Sequence, residues 1–154
     1  MRRAVKSAPV LILLVWLSAC AHQIADYSLQ AYENATRLKA ETGALIDKAG
    51  QPYAQHTDEI DRLNVEIDSA YEFAAGIPNN EISARQWDIL RDPERNLYGG
   101  FIARWREQGR VSAAYRRDKK RQIYRAFDYI ICLEANKQAA KSCATAQQSS
   151  PPPE

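Results

Sequence analysis

Histidine, cysteine and methionine are scarce in this chain, at two, three and one residues among 154. The scarcity of histidine and cysteine argues against particular chemistries. His22 and His56 stand far apart, and neither has the convergent partners of a zinc site. Cys132 and Cys143 likewise lack a third or fourth ligand nearby. The acidic stretch Asp58-Glu59-Ile60-Asp61 has neither the glycine nor the alternating oxygen ligands of a calcium loop. Nucleophilic catalysis would need an activated Ser or Cys with a base and an orienting group, and no such set is visible. Paired carboxylates are too common on helix surfaces to argue a glycosidase. These readings lead to an expectation of no metal, no cofactor and no catalysis. Long apolar runs are also lacking. The one such stretch covers residues 8 to 19, short of the ~20 residues that span ~30 Å of hydrocarbon.

That stretch has a different grammar. Arg2, Arg3 and Lys6 precede an apolar segment from Ala8 to Leu17, interrupted only by Pro9 and followed by the small residues Ser18 and Ala19. This is the pattern of a secretory signal peptide. It closes on Leu17-Ser18-Ala19-Cys20, which resembles the lipobox of bacterial lipoproteins. The resemblance implies cleavage before Cys20, a diacylglycerol on its thiol and acylation of the new amine. At ~0.8 kcal/mol per buried methylene, and with more than one chain, such an anchor is stable. By the same resemblance Ala21, at the position where Asp favours the inner membrane in such lipoproteins, points to the outer membrane and a periplasm-facing domain. A plain secretory signal and an uncleaved anchor are the competing readings. The layout is then a cleaved leader at 1–19, a helical domain with a short tether at 20–143, and a Ser/Pro-rich tail at 144–154.

Removing the leader takes away three basic residues and no acidic one, so the formal charge of +2 becomes −1. The basic pI belongs to the precursor and gives no argument for nucleic acid. Charge is nevertheless segregated. Residues 20–75 hold ten acidic and four basic residues, and residues 76–131 hold seven acidic and twelve basic. Either two halves of one bundle face each other with complementary charge, or a basic face meets anionic lipid or another polyanion.

The domain reads as all-α. Ile24, Ala31, Leu38 and Leu45 recur every seven residues, with Ala35, Thr42 and Ala49 between them, laying an apolar stripe on a helix over 24–49. Gly50-Gln51-Pro52 suits one helix end and the next helix start. A second stripe runs from Tyr53 through Ile60, Leu63, Ile67, Ala70 and Ala74. A hairpin fits, and so does one long kinked helix, because Ile46, Tyr53, Ile60, Ile67 and Ala74 keep seven-residue spacing across Pro52. Gly76 to Asn80 carries turn chemistry. Ser83-Ala84-Arg85-Gln86 reads as a capping box, with Ile82, Trp87 and Leu90 on the buried face. Asp92-Pro93-Glu94 reads as another helix start, its apolar side carried by Leu97, Phe101, Ile102 and Trp105. Gly99-Gly100 costs that helix roughly 2 kcal/mol of propensity, so either it breaks there or a neighbouring backbone comes close. Ser112 opens the last long helix, striped by Tyr115, Ile123, Ala126, Phe127, Ile130 and Leu133. The expectation is an antiparallel bundle of three long helices plus one or two short ones, with a disordered C-terminal tail.

On one uninterrupted helix Cys132 and Cys143 would lie ~16 Å apart, whereas a disulfide needs Cα atoms within ~7 Å. Pairing, which an exported protein permits, requires the chain to reverse around 136–142. Arg116-Arg117-Asp118-Lys119-Lys120-Arg121, with Arg125 beyond, is either a solvated surface turn or a contact for lipid phosphates or an acidic partner. Trp87, Tyr98 and Trp105 either pack in the core or line a groove in which Arg91, Arg95 or Arg104 fixes an anionic group. Residues 80–87 and 92–105 resemble stretches of small bacterial helical proteins, a resemblance that implies no activity. The function expected is that of a lipid-anchored envelope lipoprotein with a structural or protein-interaction role, contacting another envelope protein or the cell wall. The alternative is a periplasmic ligand-binding module whose aromatic and arginine groove holds an anionic envelope ligand.

Overall fold

The computed structural model describes residues 25–137 and 142–143. The leader, Cys20, Ala21, His22, Ile24 and the 144–154 tail lie outside these residues. Among the described residues the chain forms five α-helices and no strand.

Helix α1 spans Leu29–Lys48, capped by the Ser28 hydroxyl, which accepts from the Ala31 N–H at 3.3 Å. Its seven-residue stripe is buried through Ala31, Ala35, Leu38, Thr42, Leu45 and Ala49. The helix stops ahead of Gly50, and Pro52 leads into a single 3-10 turn, Tyr53–Gln55, rather than into the next α-helix. Helix α2 follows at Thr57–Gly76 and buries Ile60, Leu63, Ile67, Ala70 and Ala74. Lys48 pairs with Glu59, Arg62 with Glu41 and Arg37 with Glu66. Those pairings run in opposite chain directions, so α1 and α2 form a hairpin and not one kinked helix.

Helix α3, Glu81–Arg91, begins before Ser83, and no capping box forms. Ser83 is buried and accepts from Lys137 Nζ at 3.3 Å. At the cap position Asn80 turns inward, donating to the Ala74 carbonyl at 2.9 Å and accepting from Lys137 Nζ at 2.6 Å. A lysine distant in sequence thus takes the oxygens that would have capped the helix. With Ser83, Trp87 and Leu90 facing the core, Ile82 falls about 100° round the helix and is 51% exposed.

Asp92 does not start a helix either. Its carboxylate accepts from the Glu94 N–H at 2.8 Å and closes a turn. Helix α4 begins only at Tyr98 and runs to Gln108. Gly99 and Gly100 explain the delay. A Cβ on Gly99 would sit 2.1 Å from the Arg91 carbonyl oxygen, and one on Gly100 would sit 1.9 Å from that of Arg95. The preceding turn therefore folds directly against the start of α4, and close backbone approach is what the doublet serves. Helix α5, Ala113–Ala135, is capped by Ser112, which accepts from the Tyr115 N–H at 3.2 Å, and buries Ile123, Phe127, Ile130 and Leu133.

α1 packs on α2 and α5, and α3 packs on α2, α4 and α5. Leu38, Leu45, Ile60, Leu63, Trp87, Phe101, Trp105 and Phe127 meet in one core. Two ends can be defined. At one, Ala25 N–H bonds the Asn79 carbonyl at 3.2 Å, and Lys137 reaches Asn80. At the other, Val111 N–H bonds the Ala49 carbonyl at 3.0 Å, and Tyr53 N–H bonds that of Gly109 at 2.8 Å. Cys132, in the last turn of α5, is joined to Cys143 in a disulfide with Cα atoms 5.8 Å apart.

Candidate ligand cleft and basic end

A cleft of about 280 Å³ opens where the turn before α4 meets α2, lined by Asn64, Asp68, Arg91, Pro93, Tyr98 and Arg106 among others. Helix spacing puts Asn64 and Asp68 one turn apart on α2, and the end of α3 supplies Arg91. Its guanidinium lies 3.8 Å from the centre of the Tyr71 ring and pairs with Asp68 at 3.1 Å and Asp88 at 3.2 Å. Burial pulls the Arg91 pKa down, but hydrogen bonds to Asp68 and Asp88 outweigh it, leaving it raised. Tyr98 donates its hydroxyl proton to Asn64 Oδ1 at 2.7 Å. Burial pushes the phenol far above its ordinary range, which makes it a fixed donor rather than a base. Arg106 donates its Nε proton to the Tyr53 hydroxyl at 3.1 Å. The cleft therefore offers hydrogen bonds of both senses beside charges already largely paired. It is equipped to orient a small polar group.

The six residues expected to share a groove do not converge. Arg91 and Tyr98 line the cleft. Trp87 is core, edge-on to Phe127 at 5.8 Å, and Trp105 is core, edge-on to Tyr53 at 5.6 Å. Arg95 pairs with Asp92 at 3.5 Å, and Arg104 lies 4.6 Å from the centre of the Tyr115 ring. Asn64, Asp68 and Arg106 complete the cleft, and the sequence reading did not find them. The only local signal was Asn64 and Asp68 at helical spacing, which marks a great many solvated helix faces. His56 sits between Gln51, 2.8 Å from Nε2, and Glu59, 3.5 Å from Nδ1. Lys48 holds that Glu59 carboxyl below its ordinary range, against the opposing effect of burial. Among the described residues no three His, Cys, Asp or Glu side chains gather to hold a metal ion, and no helix is long and apolar enough to cross a membrane.

The basic run divides between clamp and surface. Lys119 is buried and donates to the Asn96 carbonyl at 3.1 Å and to Gln122 at 2.9 Å. Arg116 donates to the Val111 carbonyl at 2.7 Å and lies over Gly50, where a Cβ would come 2.6 Å from its Nη1. Lys120 pairs with Asp47 at 2.6 Å and Arg121 with Asp118 at 2.8 Å. Arg110 and Arg117 are exposed and make no ion pair among the described residues. All of these lie toward the end holding the α1–α2 connection, opposite Ala25.

The chain matches no protein-family model, no curated protein and no solved structure.

Proposed function

We propose that this is a lipid-anchored envelope protein, held at Cys20 in the outer membrane and facing the periplasm. Its antiparallel bundle, with three long helices and two short ones, keeps an arginine-bearing end away from the membrane. That end contacts an anionic envelope protein or the cell wall. One observation carries the reading: the chain enters the domain at Ala25, five residues after Cys20, at the end opposite Arg110 and Arg117. The 20-residue α1 separates the two ends by about 30 Å, several times the Debye length of ~8 Å at physiological salt. Phosphates of the anchoring leaflet therefore lie beyond the reach of these arginines, and a partner deeper in the periplasm is favoured. Intact mass should show acyl chains on Cys20, and Cys20→Ala should move the protein from membrane to soluble periplasmic fractions. In-cell crosslinking should recover a partner. An unmodified Cys20, or envelopes that yield no crosslinked partner, would count against the proposal.

A second reading rests on the cleft that Arg91 and Tyr98 line: a ligand-binding module for an anionic envelope ligand. Titration with muropeptides and anionic phospholipids, read by tryptophan emission and by heat, should saturate in the wild type and weaken in Arg106→Ala. No signal with either ligand class removes that reading.

A further inference from the structure

Five large apolar side chains are exposed among the described residues: Tyr27, Leu29, Val65, Phe73 and Ile82. Val65 lies mid-helix, and the other four gather at the end where the chain enters the domain. Tyr27 and Leu29 flank the cap of α1, and the Ala25–Asn79 hydrogen bond ties that entry to the α2–α3 connection. Ile82 is in the first turn of α3 and Phe73 in the last turn of α2. The Arg37–Glu66 pairing, continued seven residues along each helix, brings Phe73 level with Gln30. At the same end an open hollow of about 440 Å³, lined by Ile77, Pro78, Ala84 and Arg85 among others, lies along the α2–α3 connection. Val65 aside, the exposed large apolar side chains of the described residues are confined to this one end, a patch and not scatter.

We infer that this end of the bundle rests on the lipid bilayer, with Tyr27, Leu29, Phe73 and Ile82 set into the boundary between headgroups and acyl chains. The inference rests on the anchor at Cys20. Five residues of extended chain reach at most ~18 Å, so an acylated Cys20 keeps Ala25, and the patch beside it, at the membrane surface. The bilayer is the one apolar phase always within that distance. Charge shapes the contact as well. Asp26, Glu72 and Glu81 are exposed around the patch, and Arg85 is a nearby exposed cation. Among the described residues no exposed basic cluster lies there to seek anionic headgroups. The contact is apolar, requires no acidic lipid and is insensitive to salt. It sets the bundle upright, with the arginine end pointing away.

Single tryptophans introduced by Tyr27→Trp, Phe73→Trp and Ile82→Trp test the inference, with Val65→Trp as the mid-helix control. The full-length acylated protein is reconstituted into phosphatidylethanolamine vesicles whose acyl chains carry bromine, a contact quencher. Emission of the added tryptophan is lost at 27, 73 and 82 and kept at 65, in low and high salt alike; Trp87 and Trp105, buried in the core, supply a constant background. Intact mass reports the anchor separately. An acylated protein unquenched at all three positions overturns the inference and leaves the anchor standing. If the protein proves unacylated, the same vesicles are added to it: quenching upholds the contact, and its absence overturns it. Copy-to-copy crosslinks through positions 27 and 82 without quenching assign the patch to a second copy of the chain, and also overturn it.

Discussion

Three glycines respond differently to the same methyl group. Gly99 and Gly100 face backbone carbonyl oxygens 2.1 and 1.9 Å from an added Cβ, and backbone cannot swing aside as a flexible side chain does. Gly99→Ala and Gly100→Ala should each destabilise the protein by about 1–3 kcal/mol, the usual cost of overpacking, although alanine gains ~1 kcal/mol of helix propensity. Gly76, at the last position of α2, has nothing within 4 Å. Gly76→Ala should stabilise by up to ~1 kcal/mol. Urea unfolding of the three variants checks the opposite signs. The doublet was legible as an expense, but the two carbonyls that require it belong to a turn whose path no local pattern specified. Glu134 and Lys137 hid in a different way. Two charges three residues apart at a helix end look solvated, yet their side chains are 0% and 6% exposed and 2.6 Å apart. The lysine protons go to Asn80 and Ser83, and neither Glu134 oxygen accepts a hydrogen bond among the described residues. Among the described residues Lys137 is the carboxylate's one charged partner. Lys137→Met should cost about 3–5 kcal/mol by stranding it, and adding Glu134→Leu should return much of that loss. Thermal melts of the single and double variants decide it.

At the scale of elements, the stripes of α1, α2 and α5 were legible because burial imposes a period on long helices, and that period survives any detail of packing. The helix starts at 83 and 92 were misread because a cap depends on one hydrogen bond, and other partners, one distant and one local, took the groups involved. Lys137 claimed Ser83, and Asp92 closed a turn instead. The α1–α2 seam shows how charge supplements the stripes. Arg37 and Arg62 both engage Glu66, and both engage Glu41. The hydrogen bond from Arg37 chiefly holds the Glu66 carboxyl below its ordinary range, against burial, with Arg62 assisting. A carboxylate with a lowered folded pKa contributes fully above its unfolded value of ~4.3 and loses that contribution as pH falls through the folded value. Glu66→Gln should therefore lower the Tm at pH 7, by no more than ~1 kcal/mol equivalent for a surface network. Wild type and variant should converge as pH drops below ~4. A constant gap across that window would mean the seam acts by packing and not by charge.

For the whole molecule, the parts that stayed hidden are those assembled from separate segments. Arg91 and Tyr98 were candidates from sequence, but their partners Asn64 and Asp68 sit some thirty residues earlier in the chain, on α2. Only the fold brings them into one cleft. The charge asymmetry between chain halves was plain, and its spatial form was not: Arg110 and Arg117 stand exposed at the end opposite the entry of the chain, beside Asp47, Asp58 and Asp61 of the acidic half. On the proposed anchoring at Cys20, that geometry would separate the anchor from a contact at the far end. Arg110 and Arg117 are exposed and make no ion pair among the described residues, so the charge reversal Arg110→Glu/Arg117→Glu should leave stability within about 0.5 kcal/mol of wild type. Membrane fractionation should be unaffected, because in the proposed orientation the reversed charges stand ~30 Å from the leaflet, beyond its screened field. Recovery of the anionic partner by in-cell crosslinking should fall away. Cys20→Ala should do the converse, freeing the protein from the membrane while the purified domain still binds that partner in solution. If the reversed variant recovers the partner as well as wild type does, the arginine end is not the contact, and the partner must be sought along the flanks of the bundle.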